Sequence, residues 1–287
     1  MLHAMVDRTM TVSIEQIEEK VKREKTALRT RERKAELVYP ILVAVGLLLV
    51  WEAGSRVFGV PEYLFPMPSA IIGTTVKNWM LLLNETWVTT VEILLGYFAS
   101  ILIGVPLALA IFHWPVFAKS IYPLLISTQA MPKVAVAPLL VVWFGFGLLP
   151  KVLIAFLIAF FPIVINTIVG LVSLEREKIH LAQSMGLSRF DTFRLIRLPH
   201  ALPSLFAGLK ISITLAVVGA VVGEFVGGDS GLGYQLMVAN GAMDTPLLFA
   251  GILVLTLLGL VLFWLVEALE RWAIPYQERT NSMGVSS

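Results

Sequence analysis

The sequence predicts an all-α integral membrane protein with six spans. Three observations carry that prediction. First, 57% of the 287 residues are apolar and only 15% are charged, against about 45–50% and about 25% in soluble domains. Second, the apolar residues fall into blocks of about twenty, the length a helix needs to cross a bilayer. Third, Lys and Arg cluster in alternate connections, as the positive-inside rule requires.

Taken in order, residues 1–36 form a polar arm rich in both Glu and Lys/Arg. Within it, Ile14, Ile17, Val21 and Leu28 recur near helical spacing, and Glu18–Lys22 and Glu19–Arg23 are favourable i,i+4 pairs. The arm suits a solvated leader better than a docking helix, and no secretory signal peptide is visible in it. Residues 37–275 hold the spans, and 276–287 are a short tail. The first span covers 37–58 and is followed by a loop with Pro61, Pro66 and Pro68. The second runs from Trp87 to Phe112. The third, Phe117 to Gly147, is broken at Met131-Pro132-Lys133. Spans four to six cover Val152–Val172, Leu205–Val226 and Pro246–Leu269.

Reading the broken region as two spans would give seven in all. The arm and the basic 173–203 stretch (Arg176, Lys178, Arg189, Arg194, Arg197) would then face opposite sides. Six spans put them on one side, with Arg271 and Arg279, and make both termini cytoplasmic. Arg56, Lys77 and Lys151 fall on the other side.

The 173–203 stretch predicts a compact unit. Leu174–Met185 reads as a helix that Gly186 caps in a left-handed conformation. Ser188, with Asp191 three residues on, starts a second helix. Pro199 and Pro203 are expected to stop it. A DNA-binding helix-turn-helix, a passive loop and a rigid knob gripped by a cytoplasmic partner all fit this pattern. Tethering at both ends to spans disfavours the first, so nucleic acid is not an expected partner, and the capped, Pro-bounded form favours the third.

Inside the apolar blocks, polar residues are costly and usually face protein or water. Met131 and Pro132 mark a flexible element beside a path or a helix boundary, with Lys133 snorkelling in the second case. Asn166 is expected to bond a neighbouring helix or to line the path. Glu224 suits an outer gate or the fold of its loop, and Glu92 suits the path or the interface. Lys210 is expected to snorkel. Gly227 to Gly231 form a turn-rich loop.

Enzyme and metal chemistries find no support. The chain lacks Cys, G-x-x-x-x-G-K-[ST], H-E-x-x-H and G-x-S-x-G. Its histidines, at 3, 113, 180 and 200, have no ligand spacing. No cofactor is expected on this chain. An ion-driven secondary transporter is the alternative, with Glu92 and Glu224 as its relay.

One resemblance sharpens the prediction. His180-Leu181-Ala182-x3-Gly186-x9-Ile196-x-Leu198-Pro199 resembles the Glu-Ala-Ala-x3-Gly-x9-Ile-x-Leu-Pro loop of ABC importer permeases of the binding-protein-dependent type. His180 and Leu181 stand where that family usually has Glu and Ala. Met131 through Gly145, Phe161-Pro162 with Asn166, and Gly223-Glu224 followed by Gly231-Leu232-Gly233-Tyr234 are similar to the nitrate, sulfonate and taurine subfamily. Together these motifs cover about residues 85–275. The resemblance implies the type I ABC importer permease fold, in a multi-pass protein of the cytoplasmic (inner) membrane. It implies a homodimer and a cytoplasmic coupling loop at 174–199 that engages separate ABC ATPase subunits carrying ATP and Mg. His180, Ala182, Gly186, Arg189, Ile196, Leu198 and Pro199 are the coupling residues. A periplasmic or lipid-anchored binding protein would deliver the substrate, nitrate, a sulfonate or a related small acid. Transport would follow alternating access.

Overall fold

A computed structural model describes residues 38–274. The arm at 1–36 and the tail at 276–287 lie outside the described residues. By contact the chain divides into residues 1–69 and residues 70–287.

In the first unit, α1 (Val38–Val57) is apolar and long enough to span. After it the chain turns, with Phe65 tilted 4.9 Å from Trp51. Glu52 accepts from the backbone and hydroxyl of Ser69 at 3.0 and 2.8 Å and from Arg56 at 2.9 Å.

The short helix α2 (Pro68–Lys77) lies in what the sequence suggested was loop; its Pro occupies the first turn, where no amide hydrogen is needed. The second unit continues with α3 (Trp79–His113), α4 (Pro115–Gln129), a 3₁₀ turn (Lys133–Val136), α5 (Ala137–Phe144) and α6 (Leu148–Val172). Then come α7 (Arg176–Ser184), α8 (Arg189–Thr192), a wide π turn (Phe193–Arg197), α9 (Leu198–Gly227), α10 (Leu232–Gly241) and α11 (Thr245–Ala273). Among the described residues five helices are long and apolar enough to span, and the α4–α5 pair, bent by 90°, makes six. The break falls at the predicted Met131-Pro132-Lys133. Pro132 is extended (φ −70°, ψ 97°), so α4 cannot run on through it.

The core is α6, lying between α3 and α9. Ile93 and Tyr97 of α3, Ala155 and Ala159 of α6, and Ile213, Ala216 and Ala220 of α9 are buried together, closed by Leu262 and Val266 of α11. Small residues set the spacing. A Cβ on Gly219 would lie 2.6 Å from the Ala155 Cα, and one on Gly96 would lie 2.6 Å from the Ala155 Cβ. Such residues let helices approach closely where lipid supplies no hydrophobic drive. α4 has no buried residue. α5 is held against α6 through Ala137, Leu140 and Ile154.

Two sequence expectations need correction. α3 begins at Trp79, two turns before the predicted start. Pro199 and Pro203 do not stop the helix: residues 189–227 run on as one helical stretch. Pro199 stands in the first turn of α9, and Leu198 donates five residues back to Phe193, so the turn widens before the proline. Lys210 pairs with Glu270, near the end of α11, at 2.7 Å.

Candidate functional site

The element at 174–199 is built from local signals. α7 closes with the paired bonds of a Schellman motif: Gly186 donates to Gln183 at 3.0 Å and Leu187 to Ala182 at 3.2 Å. Gly186 has φ +88°, which L side chains rarely adopt. The Ser188 hydroxyl accepts from the Asp191 amide at 3.1 Å and opens α8. The element is tied to the bundle at its end. Arg197 donates to the Leu171 carbonyl at 3.3 Å and lies over the Phe112 ring, while Phe193 packs on Phe112 and His113.

The predicted coupling residues share this one element. Ala182 is buried, and Ile196 and Pro199 are half-buried. His180, Gly186, Arg189 and Leu198 are exposed. Three strongly exposed apolar side chains of the element lie outside the predicted coupling set. Leu181 is 63% exposed, Phe190 68% and Met185 73%. Their signal was apolar residues in a polar stretch.

The predicted pathway residues lie on three parts of the fold. Met131 and Pro132 lie exposed at the α4–α5 corner. Asn166 donates to the Pro162 carbonyl of its own helix at 2.8 Å, and its Cβ abuts Gly208 of α9. Glu224 is buried at the far end of α9 from the 174–199 element.

Around Glu224 the structure assembles a polar clamp that sequence separation hid. The clamp holds the start of α10 through three consecutive amides. Gly231 donates to Glu85 at 2.5 Å, Leu232 to the Thr89 hydroxyl at 2.8 Å, and Gly233 to Glu224 at 2.5 Å. Thr89 in turn donates to Glu224 at 2.6 Å. Carboxylates at a helix N-terminus meet its unpaired amides and the positive end of its dipole. Gly231 has φ +106°, and a Cβ there would overlap the Glu224 carboxylate. That explains the Gly-Leu-Gly motif: side chains would exclude the acid.

Beside Glu224 lies an ion pair. Lys151 Nζ reaches Glu92 Oε1 at 2.9 Å, with the two side chains 2% and 1% exposed. It also donates to the Ser230 carbonyl at 3.1 Å and touches Asp229, 75% exposed, at 3.5 Å. Lys151 is therefore not the loop cation the charge count took it for. The Ser230 hydroxyl, its own backbone and the Lys151 ammonium hold the Asp229 carboxyl below the ordinary range. Among the described residues no group of His, Asp and Glu is arranged to hold a metal. The Glu224 contacts named above join α3, α9 and the start of α10.

Comparison with known proteins gives a consistent result. A family model described as "binding-protein-dependent transport system inner membrane component" matches residues 96–274. The chain is 35% identical over 249 residues to a formylaminopyrimidine transport permease protein of Halalkalibacterium halodurans, covering 86% of this chain and 99% of that one. It is 38% identical over 236 residues to a riboflavin transport system permease protein of Chloroflexus aurantiacus, covering 80% and 87%. It is 31% identical over 185 residues to the taurine transport system permease protein of Escherichia coli, covering 64% and 67%. Among solved structures, a chain of an inward-facing methionine ABC transporter aligns with TM-score 0.58 at 19% identity, over 67% of this chain and 96% of that one. That likeness shows the fold.

Proposed function

The chain belongs to the family of inner membrane components of binding-protein-dependent transport systems, and on that premise we propose how it works and what it carries. It is a multi-pass permease subunit of an ABC importer, not an enzyme. On our reading, two copies enclose a central path, and residues 174–199 of each seat in a separate cytoplasmic ATPase that binds ATP and Mg. ATP binding and release then switch the pair between inward and outward access. The side bearing 174–199 is cytoplasmic, as are residues 1–36 and 276–287. The clamp and the 228–244 segment face outward, where a binding protein delivers the solute.

One observation carries this reading. The 174–199 element is locked by its own caps, bears exposed apolar side chains, and continues without a break into a spanning helix. An element that transmits force must be stiff and sticky at its tip. His180 stands at that tip in place of the family's usual Glu, so its contact with the ATPase differs from the family's.

Relatives named for formylaminopyrimidine, riboflavin and taurine suggest a small polar organic solute, with a sulfonate or related small acid in range. The test is purification of the tagged chain with its neighbours in mild detergent. An ATPase should appear in equal copy number and leave when Leu198 is changed to Arg. Recovery of the chain alone, with uptake that follows an ion gradient and ignores ATP, would overturn the proposal.

A further inference from the structure

Lys133 opens the 3₁₀ turn at the 90° corner between α4 and α5. Its ammonium lies 4.5 Å from the centroid of the Phe161 ring, well within cation–π range. Phe161 stands in the middle of α6, which runs from Leu148 to Val172. At 1.5 Å per residue that is about 20 Å from one end of the helix and about 16 Å from the other. The charge is therefore held near mid-depth of a spanning helix. A side chain parked there does not snorkel, which removes the boundary reading of this lysine.

The other deep lysines are paired: Lys151 with Glu92 and Asp229, Lys210 with Glu270. Lys133 belongs to none of the ion pairs found among the described residues. It is half-exposed, and Met131, Pro132 and Val134 beside it are exposed. A cation at this depth persists where water or protein faces it, not lipid. The irregular backbone of the corner has the same requirement for its own N–H and C=O groups. The two constraints are independent and fall on the same short segment.

We propose that Lys133 is the charge filter of the translocation path: it repels cations and favours solutes bearing an anionic or electron-rich acceptor group. This rests on the permease reading above. A fixed positive charge at a narrow, low-dielectric passage excludes protons and metal cations, whose leakage would discharge the membrane. With no carboxylate to compete, the ammonium is free to leave the Phe161 face for a passing carboxylate or sulfonate. The ring takes it back afterwards, so the contact is weak enough to release its guest.

The chain has no cysteine, so Val134→Cys introduces a single thiol next to Lys133. The probes are an anionic sulfonatoethyl and a cationic trimethylammonioethyl methanethiosulfonate. They are applied to vesicles of both orientations holding the assembled transporter, with and without ATP. Rates are normalised to those of a free thiol. The anionic-to-cationic ratio should be at least about fivefold higher with Lys133 than with Lys133→Gln, given the strength of one charge at this range in a partly screened site. Lys133→Arg should keep the high ratio. A thiol that reacts with neither probe in any state overturns the proposal, because the corner then does not meet water. So does a ratio that ignores Lys133→Gln. ATP-dependent uptake by the unaltered transporter is measured in parallel, so failure of the permease reading is seen separately.

Discussion

Replacing Lys151 with Met should destabilise the protein more than most single changes, and replacing Glu92 as well should restore it. The ammonium sits 2.9 Å from Glu92, and both side chains are almost fully buried. At an effective dielectric of about 20, the attraction at that distance is about 6 kcal/mol before desolvation is subtracted. The contact with Asp229 adds little, because that carboxylate is largely in water. Removing only the lysine leaves the Glu92 carboxyl buried without its partner, beside Glu224, which is within electrostatic reach. Breaking one side of such a pair costs about 3–5 kcal/mol, whereas exchanging both for apolar residues of similar size is often neutral. For a chain of this size that is a fall of about 6–20 °C in apparent unfolding temperature. The assay is thermal unfolding of the detergent-solubilised transporter at one fixed scan rate, since such unfolding is often irreversible. Wild type, Lys151→Met, Glu92→Leu and the double variant are compared. If Lys151→Met unfolds within about 2 °C of wild type, or the double variant is no better than the single, the ion pair is not what closes this end of the bundle.

Three other changes probe the remaining parts. Gly231→Ala puts a Cβ into the space of the Glu224 carboxylate at a residue with φ +106°; a loss of about 2–3 kcal/mol is expected, and unchanged thermal stability would contradict the clamp geometry. Gly186→Pro removes the amide that donates to Gln183 and cannot adopt φ +88°. Uptake should be abolished while the chain stays in the membrane, and normal uptake would end the coupling role. Phe190→Asp alters an exposed side chain, so stability should change by no more than about 0.5 kcal/mol. Co-purification of the ATPase should be lost, and its retention would show that the tip of the element is not the docking surface.

What the sequence disclosed and what it hid divide by range. The caps at Gly186 and Ser188 and the break at Met131-Pro132 depend on neighbours a few residues away, and each was legible. The clamp was not. Glu85 meets an amide 146 residues on, and Thr89 one 143 residues on. The Gly-Leu-Gly motif was visible, but its reason, an acid needing room, was not. Lys151 was misread because it follows Gly147 and Pro150 at the edge of an apolar block, where a loop cation is the natural reading. Pro199 was misread because a proline ends a helix only when the bond it forgoes was needed; here the wide turn before it removes the need. Lys133 was open between two uses until Phe161 supplied its depth.

Three features combine into a mechanical division of labour. The helical stretch from Arg189 to Gly227 is 39 residues long, about 58 Å at 1.5 Å per residue. It joins the 174–199 element to Glu224 and, through Gly233, to α10. Along its length it interlocks with α6, where Gly219 and Gly96 press on Ala155 from two sides. A close-packed seam of this kind moves as a body, because it has no spare volume to deform into. The corner of α4 and α5 is the reverse case. α4 buries none of its residues, and a 90° bend interrupts its course. If ATPase motion enters at residues 174–199, the α3–α6–α9 block carries it whole to the opposite end. The compliant element is then the corner that holds Lys133. A rigid lever set against a soft corner places the opening and closing of the path where the isolated mid-depth charge already sits.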